Sequence, residues 1–324
     1  MMWWLSAAGW TCVAITQVVV LSIALNVSRS AVLAVFQAVI PHAAVINFVF
    51  GLFFVATGDV TLAVACLIQV VWVVCIIARP LIRHRRDRPT ASADGKATFL
   101  VAHANVLYLN PSPTQAARDL LASDADIIAL TELTSDIHEA LLGHEHAARW
   151  PHRHVVFGPG TDGIGVWSKH SFTHVEERRL VSKAALLTQV QTDDERHIHV
   201  LVVHPMPPMN RVKTRDWAPS LHAIGDVAMS TNAPMIVIGD FNTAFWHAPL
   251  RRLFHRGLRS AHLIHGKFLS ATFPVGRWRR PVVRLDHALV NDTLAVHAVR
   301  DFTVTGSDHL GIVVTVSTRA HATN

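Results

Sequence analysis

Charge is nearly missing from the first 78 positions of this 324-residue chain: Trp3 to Val27, Ala31 to Gly58 and Val60 to Ala78 hold no Asp, Glu, Lys or Arg. With 51% apolar residues and a mean hydropathy of +0.32, the chain is too apolar for a purely soluble enzyme. Cysteine is scarce as well. All three, Cys12, Cys66 and Cys75, lie in the apolar runs, which excludes a disulfide framework, a Cys-based metal site and cysteine chemistry in the remainder. Acids are outnumbered, 23 Asp and Glu against 29 Lys and Arg, giving a net charge of +6. A pI near 9.8 suits nucleic acid, a membrane surface or a phosphorylated substrate without choosing among them. No internal repeat is evident.

Each apolar run is long enough to cross a bilayer, for which about 20 residues suffice. The breaks hold only Ser28, Arg29 and Ser30 and then Asp59, so three transmembrane passes over residues 1–78 are expected, with a kink or re-entrant turn at Pro41 and His42. The first run lacks the basic start of a signal peptide, and two further runs follow it. Arg79, Arg83, Arg85, Arg86 and Arg88 come next, a cluster that stays on the cytoplasmic side or binds anionic head groups. With three passes Arg29 falls on that side and Asp59 on the other, which puts the rest of the chain at the cytoplasmic face. Residues 79–96, basic and then rich in Pro, Ser, Ala, Asp and Gly, read as a flexible linker to a domain over 97–324.

Beyond the linker, Val- and Ile-rich runs predict buried strands: Ala97 to Ala104, Asp126 to Thr131, Gly165 to Ser168, Ala185 to Gln191, His197 to Val203, Met235 to Ile238, Asp286 to Val290 and Gly311 to Ser317. Helical patterns intervene at Pro113 to Ala122, Ser135 to Leu142 and Arg211 to Met229. This alternation is an α/β domain of packed sheets covered by helices.

Polar residues gather where those strands end: Asn105, Glu132, His204, Asp240 and Asn242 of Gly239-Asp240-Phe241-Asn242, Asp286-His287, and Asp308-His309 of Gly306-Ser307-Asp308-His309. Singly, each is an ordinary cap or turn residue. Together, six strand ends delivering an acid, an amide or an imidazole describe a site.

This ordered set resembles the endonuclease/exonuclease/phosphatase (DNase I-like) superfamily over about Thr98 to Thr318. The most specific pieces are Gly239-Asp240-Phe241-Asn242 and Ser307-Asp308-His309, supported by Arg284-Leu285-Asp286-His287. The resemblance implies a four-layer α/β/β/α sandwich, here preceded by an N-terminal transmembrane helical segment. Thr131 stands where the family usually has Gln, and Lys169 replaces the commoner Arg in Gly163-Ile164-Gly165-Val166-Trp167-Ser168-Lys169. His204-Pro205-Met206-Pro207-Pro208 resembles a bacterial, often membrane-anchored branch of the family.

Phosphoester hydrolysis requires charge neutralisation, an activated water and donors for the developing charge. Oxygen ligands select Mg²⁺ or Mn²⁺ over soft metals. By resemblance, Glu132, Asp308 and Asn105 hold the metal, His309 activates or orients water, and Asp286 fixes its tautomer. Asp240 positions the nucleophile or adds to a second metal site, and Asn242, Asn105 and His204 contact the phosphate, His204 also serving the leaving group. The expected substrate is a nucleic acid or a phosphorylated lipid or inositol, the expected surroundings a lipid bilayer, and no protein partner is implied. A scaffold without catalysis is the remaining alternative, disfavoured because every catalytic position carries a competent residue.

Two other segments stand out. His144, His146, His152 and His154 fit no zinc-finger spacing and read as a polar connector. Arg277-Trp278-Arg279-Arg280 could grip a phosphate backbone, touch lipid head groups or be a solvated loop.

Overall fold

The structure, a computed structural model, describes residues 3–85, 98–191, 197–276 and 280–319. Four helices come first: α1 (Trp3–Ala24), α2 (Ala31–Ala38), α3 (Ile40–Thr57) and α4 (Val60–Arg85). Then follow β1 (Phe99–Asn105), α5 (Pro113–Ala122), β2 (Ile127–Thr131), α6 (Ser135–Leu142), β3 (His152–Val156) and β4 (Ile164–Ser168). The chain continues through β5 (Phe172–Leu180), β6 (Lys183–Gln191), β7 (His197–Val203), α7 (Arg211–Met229) and β8 (Met235–Asp240). It ends with α8 (Ala248–His255), β9 (Arg259–Ser260), α9 (Ala261–Ile264), β10 (Asp286–Val290), β11 (Leu294–Thr303) and β12 (Leu310–Thr318).

The strands form two six-stranded mixed sheets, ordered β11-β12-β1-β2-β4-β3 and β5-β6-β7-β8-β10-β9. Because successive side chains of a strand face opposite ways, each sheet has two apolar faces to cover. Val101, Ile127, Val166, Val200, Ile236 and Val314 fill the space between the sheets. Ala102, Ile128, Leu130 and Val313 turn outward and are covered by α5 and α6. Leu201, Val203, Val237 and Leu289 turn outward from the second sheet and are covered by α7 and α8. The expected four layers are therefore present. The sequence reading missed β3, β5, β9, β11, α8 and α9; β5 and β11 carry partly exposed, charged faces that do not read as buried runs.

Three of the first four helices, α1, α3 and α4, are long and apolar enough to cross a membrane. The second apolar run is broken as expected at Pro41, but into a short α2 and a separate α3 with Pro41 in its first turn. Proline is accommodated there because the first N–H groups of a helix lack partners anyway. The predicted linker begins late: Arg79, Arg83 and Arg85 extend α4 through Pro80. The rest of that linker lies outside the described residues.

These helices are packed on the α/β domain. Val19, Val20, Ile23, Ala34, Ile40 and Val73 share one core with Trp217, Phe245, Trp246 and Leu250. Polar contacts fix the seam. The Trp246 indole N–H donates to the Gln37 carbonyl, His247 Nε2 lies 2.9 Å from the Ala34 carbonyl, and Arg251 donates to the Ile23 carbonyl at 2.8 Å and to Asn26 at 2.6 Å. Arg83 lies 3.2 Å from His255.

Candidate active site

All of the expected site residues leave the sheets at one end. β1 and β2 run parallel and finish at Asn105 and Thr131, and the parallel pair β7 and β8 finishes at Val203 and Asp240. β10 is antiparallel to β8, so its first residue Asp286 lies opposite Asp240. β12 is antiparallel to β1, so His309 just before it arrives at the same edge. Two glycines permit the convergence. A side chain at Gly239 would strike the Val203 carbonyl at 2.0 Å, blocking the approach of β8 to β7, and Gly306 has φ of +81° with Asn110 in the space a Cβ would take. Gly306 thus turns the chain into Ser307, whose hydroxyl donates to the Asn105 carbonyl at 2.7 Å and accepts from the His309 N–H at 3.0 Å. Glu132 and Asn242 adopt positive φ, 55° and 51°, a conformation uncommon outside glycine that turns each side chain off its strand end.

The side chains interlock. Asn105 Nδ2 donates to Glu132 at 2.9 Å and to Asp240 at 3.1 Å, holding the two carboxylates apart. Glu132 also accepts from the Tyr108 N–H at 3.1 Å. Asn105 Oδ1 accepts from the Leu107 N–H at 3.0 Å, so Asn105 faces the carboxylates as a donor rather than as an oxygen ligand. His204 Nε2 lies 3.8 Å from Glu132 and 3.7 Å from Asp240. Asn242 donates from its backbone to Asp240 at 2.8 Å and from Nδ2 to the Pro205 carbonyl at 3.0 Å, bracing the turn after His204. His309 Nδ1 is 2.8 Å from Asp286, its Nε2 is 3.7 Å from Asp240, and the Phe273 ring lies against it with centroids 4.9 Å apart.

Burial opposes charge on His309, but Asp286 and Asp240 outweigh it and push its pKa up to about 10. Burial likewise works against ionised Asp240, yet His309, His204 and donors from Asn242 and Asn105 hold its pKa below the usual carboxylate value. His204 goes the other way: burial dominates over the nearby Asp240 and Glu132, and its pKa falls. Burial, with Glu132 and Asp240 close by, raises that of the half-buried Asp308. One edge therefore holds an imidazolium, a neutral imidazole and a set of carboxylates.

One contributor escaped the sequence reading. His103, fully buried, places Nδ1 3.6 Å from Asp286 and Nε2 3.3 Å from the Thr131 hydroxyl. Burial lowers its pKa to about 4 despite Asp286 and Asp240. Its position two residues before Asn105 on β1 was the available signal, because alternate residues of a strand share a face. Thr131, at the position where the resemblance leads one to expect Gln, thus supports His103 through its hydroxyl. Lys169 sits at the opposite end of the sheet, paired with Asp124 at 2.8 Å and Asp126 at 3.3 Å. His287, adjacent to Asp286, points away and is 2.7 Å from the Thr243 carbonyl. The four clustered histidines do not converge: His152 and His154 lie on β3, with His154 2.8 Å from Glu177, while His144 and His146 precede that strand. Arg277, Trp278 and Arg279 lie outside the described residues.

The donor set fits a hard divalent cation. Glu132, Asp240, Asp308 and Asp286 offer oxygen ligands, which suit such an ion. Asp240, Asp286 and His309 have ligand atoms within 4.8 Å of one another, close enough for one ion. His309 and Asp286 are already bound to each other, however, so the carboxylates beyond them are the better holders.

Residues 102–309 match the Endonuclease/Exonuclease/phosphatase family, and the chain belongs to it. Its members of known structure share this fold, and the family assignment makes the chain a hydrolase of phosphoester bonds. The D. rerio TDP2 complexed with single-stranded DNA product is 17% identical, covering 68% of this chain and all of that one, with a TM-score of 0.58. The catalytic domain of human Nocturnin with bound sulfate is 18% identical over 68% of this chain and 95% of its own, with a TM-score of 0.54. The 3′ phosphatase NExo from Neisseria, bound to product DNA hairpin, is 18% identical over 67% and 98%, with a TM-score of 0.53. No curated protein matches the sequence.

Proposed function

We propose that this chain is a membrane-anchored, divalent-metal-dependent phosphodiesterase whose catalytic domain faces the cytoplasm. The observation that carries the reading is the pair His309–Asp286, 2.8 Å apart, aimed across Asp240 toward Glu132 and His204. Glu132 and Asp308 would hold Mg²⁺ or Mn²⁺, which supplies neutralisation of the phosphoryl oxygens. Asp286 holds the His309 ring with Nε2 toward Asp240, so water lying between them is oriented for in-line attack. As the imidazolium, His309 stabilises the negative charge that builds up. His204, neutral, has an N–H for the leaving oxygen, and Asn242 keeps one amide proton for the phosphate. Asn105 acts chiefly by spacing Glu132 from Asp240.

Nuclease-like cleavage is the first substrate reading, supported by the order of site residues and the basic charge, and by solved relatives described with bound DNA. Hydrolysis of lipid or inositol phosphoesters is the second. It is favoured by the packing of α1–α4 on the domain, which would hold the site at a fixed height above a bilayer. Arg29 lines a cleft with Arg211 and Arg215 of the domain, and Arg83 lies beside His255, so arginines at the domain end of the helices support a cytoplasmic domain.

The test is hydrolysis by the full chain in detergent of plasmid DNA, RNA, bis-p-nitrophenyl phosphate and phosphoinositides, with Mg²⁺, Mn²⁺ or EDTA, beside His309→Ala. Metal-dependent turnover absent from the variant is expected. A folded, metal-binding protein inert on every substrate would leave the scaffold alternative.

A further inference from the structure

An apolar cavity of about 530 Å³ opens between the N-terminal helices and the catalytic domain. Val45 of α3 and Val74 and Ala78 of α4 form one wall; Phe245, Leu269 and Val282 of the α/β domain form the other. Such a volume suits a single small molecule, for which sites run about 300–1,000 Å³. Three observations say what kind. First, the cavity continues the apolar surface of the candidate spans: Val45 and Val74 are 62% and 54% exposed, so its mouth opens onto whatever surrounds those helices. Secondly, the catalytic domain adds exposed apolar side chains at that mouth, Leu269 and Val282, which water alone would disfavour. Thirdly, the cavity adjoins the site. Ala244 and Phe245 follow Asn242, while Ser270 and Ala271 lead into Thr272, which accepts from the Asp286 N–H, and Phe273, which lies against His309.

Resting on the phosphodiesterase reading, we propose that this cavity takes the hydrocarbon chain of a membrane lipid whose phosphodiester is thereby presented to His309, Asp240 and Glu132. The occupant is an alkyl chain because the lining is apolar from both sides and reaches the spans. Among the described lining residues the only basic side chains are His42 and Arg284, whereas a nucleic acid would need free phosphate-binding cations there. The Arg284 side chain at the cavity floor is buried and committed to Asp301 at 2.8 Å. The chain gains little from leaving one apolar medium for another; what it contributes is position, since binding a remote part of the substrate can be used at the reacting centre.

The experiment compares ethyl and hexadecyl p-nitrophenyl phosphate, which share a leaving group and differ in the chain, using the full protein in non-ionic detergent micelles. Ala78→Trp and Val45→Trp fill the cavity from different helices. The wild-type preference for the hexadecyl ester is expected to fall by about tenfold in each. Native mass spectrometry is expected to find hexadecyl phosphate retained by the wild-type chain and absent from both variants. Unchanged preference and retention in both would overturn the proposal, placing the chain in the surrounding micelle. Equal loss of both esters in both variants would overturn it too, since the wall would then support the site rather than the substrate. If the wild-type protein cleaves neither ester, the phosphodiesterase reading fails, and retention of hexadecyl phosphate still decides the chain site. Cleavage of plasmid DNA with no preference between the esters returns the nuclease reading.

Discussion

The N-terminal helices and the α/β domain both bury polar side chains, and they do so in opposite ways. Among the described helices the buried amides are neutral and each donates to a partner in a small local set, with Asn47 Oδ1 and Gln69 Oε1 left over. Gln37 donates to Ser22 at 2.8 Å and to the Val27 carbonyl at 3.2 Å, Asn47 donates to Thr16 at 2.8 Å, and Gln69 donates to Gln17 at 3.0 Å. At the site edge of the domain the buried groups are ionisable and shared: Asp286 faces both His309 and His103, and Asp240 faces His309, His204 and Asn105. Neutral pairs between apolar helices fix register at small cost. A charged cluster cannot be satisfied pair by pair, and what it gains is a set of shifted proton affinities fit for chemistry. The two regions should therefore respond differently to the same kind of substitution.

The largest expected effect falls on the site. His309→Ala should lower metal-dependent turnover by about 10³-fold while the fold persists, because a positioned acid–base group contributes roughly 10²–10⁴-fold. An equal loss of helical content by circular dichroism would mean that His309 is a structural pillar instead. Acid comes next. Burial holds His247 at about 4, His262 at about 3 and His287 at about 3. Their folded values lie below the unfolded one near 6.5, so their stability is complete above about 6.5 and is lost as the pH falls toward 4, by roughly 1.4 kcal/mol per histidine per unit. His309 has the opposite sign: its contribution is complete below about 6.5 and disappears as the pH rises toward 10. Denaturation midpoints from pH 4 to 10 should therefore form a dome. A flat acid limb would contradict the buried neutral histidines.

Metal should separate the regions by an intermediate amount. A cation at about a hundred times its dissociation constant stabilises by roughly 2.7 kcal/mol, and Mg²⁺ should raise Tm in the wild type but not in Glu132→Ala. Asp308→Asn should raise the metal-free Tm slightly, since burial, helped by Glu132 and Asp240, disfavours its ionised form, while weakening the response to Mg²⁺. A full Mg²⁺ response in both variants would move the ion to Asp240 and Asp286.

The strands that carry the site were legible where they are buried on both faces: β2, β8 and the second half of β7 are continuously buried, and the polar residues at or just past their ends, Thr131, Asp240 and His204, mark where they emerge. β5 and β11 were not, because sheet edges and exposed faces admit charge and interrupt the pattern. His103 was passed over because alanines flank it and the pairing that gives it meaning, with Asp286, spans 183 positions of chain. The seam between the regions had no signal at all. Nothing in the pattern around Trp246 and His247 marks them out, and only the fold brings them to the carbonyls of Gln37 and Ala34.

The smallest effect tests the neutral side of the comparison. Asn47 bridges α1 and α3 through Thr16, and also donates to the Ala43 carbonyl one turn back at 2.8 Å, while its Oδ1 has no partner. Asn47→Leu keeps the branched shape and removes that unpaired oxygen. The Thr16 hydroxyl, once released, can turn to a carbonyl of its own helix. The loss is therefore partly offset, and a double-mutant cycle of Asn47→Leu with Thr16→Val should give a coupling of only about 0.6 kcal/mol, the average for hydrogen bonds between membrane helices. A coupling several times larger, or any loss of turnover, would show that the helices share the charged domain's interdependence after all, and the division between pairwise and collective burial would have to be abandoned.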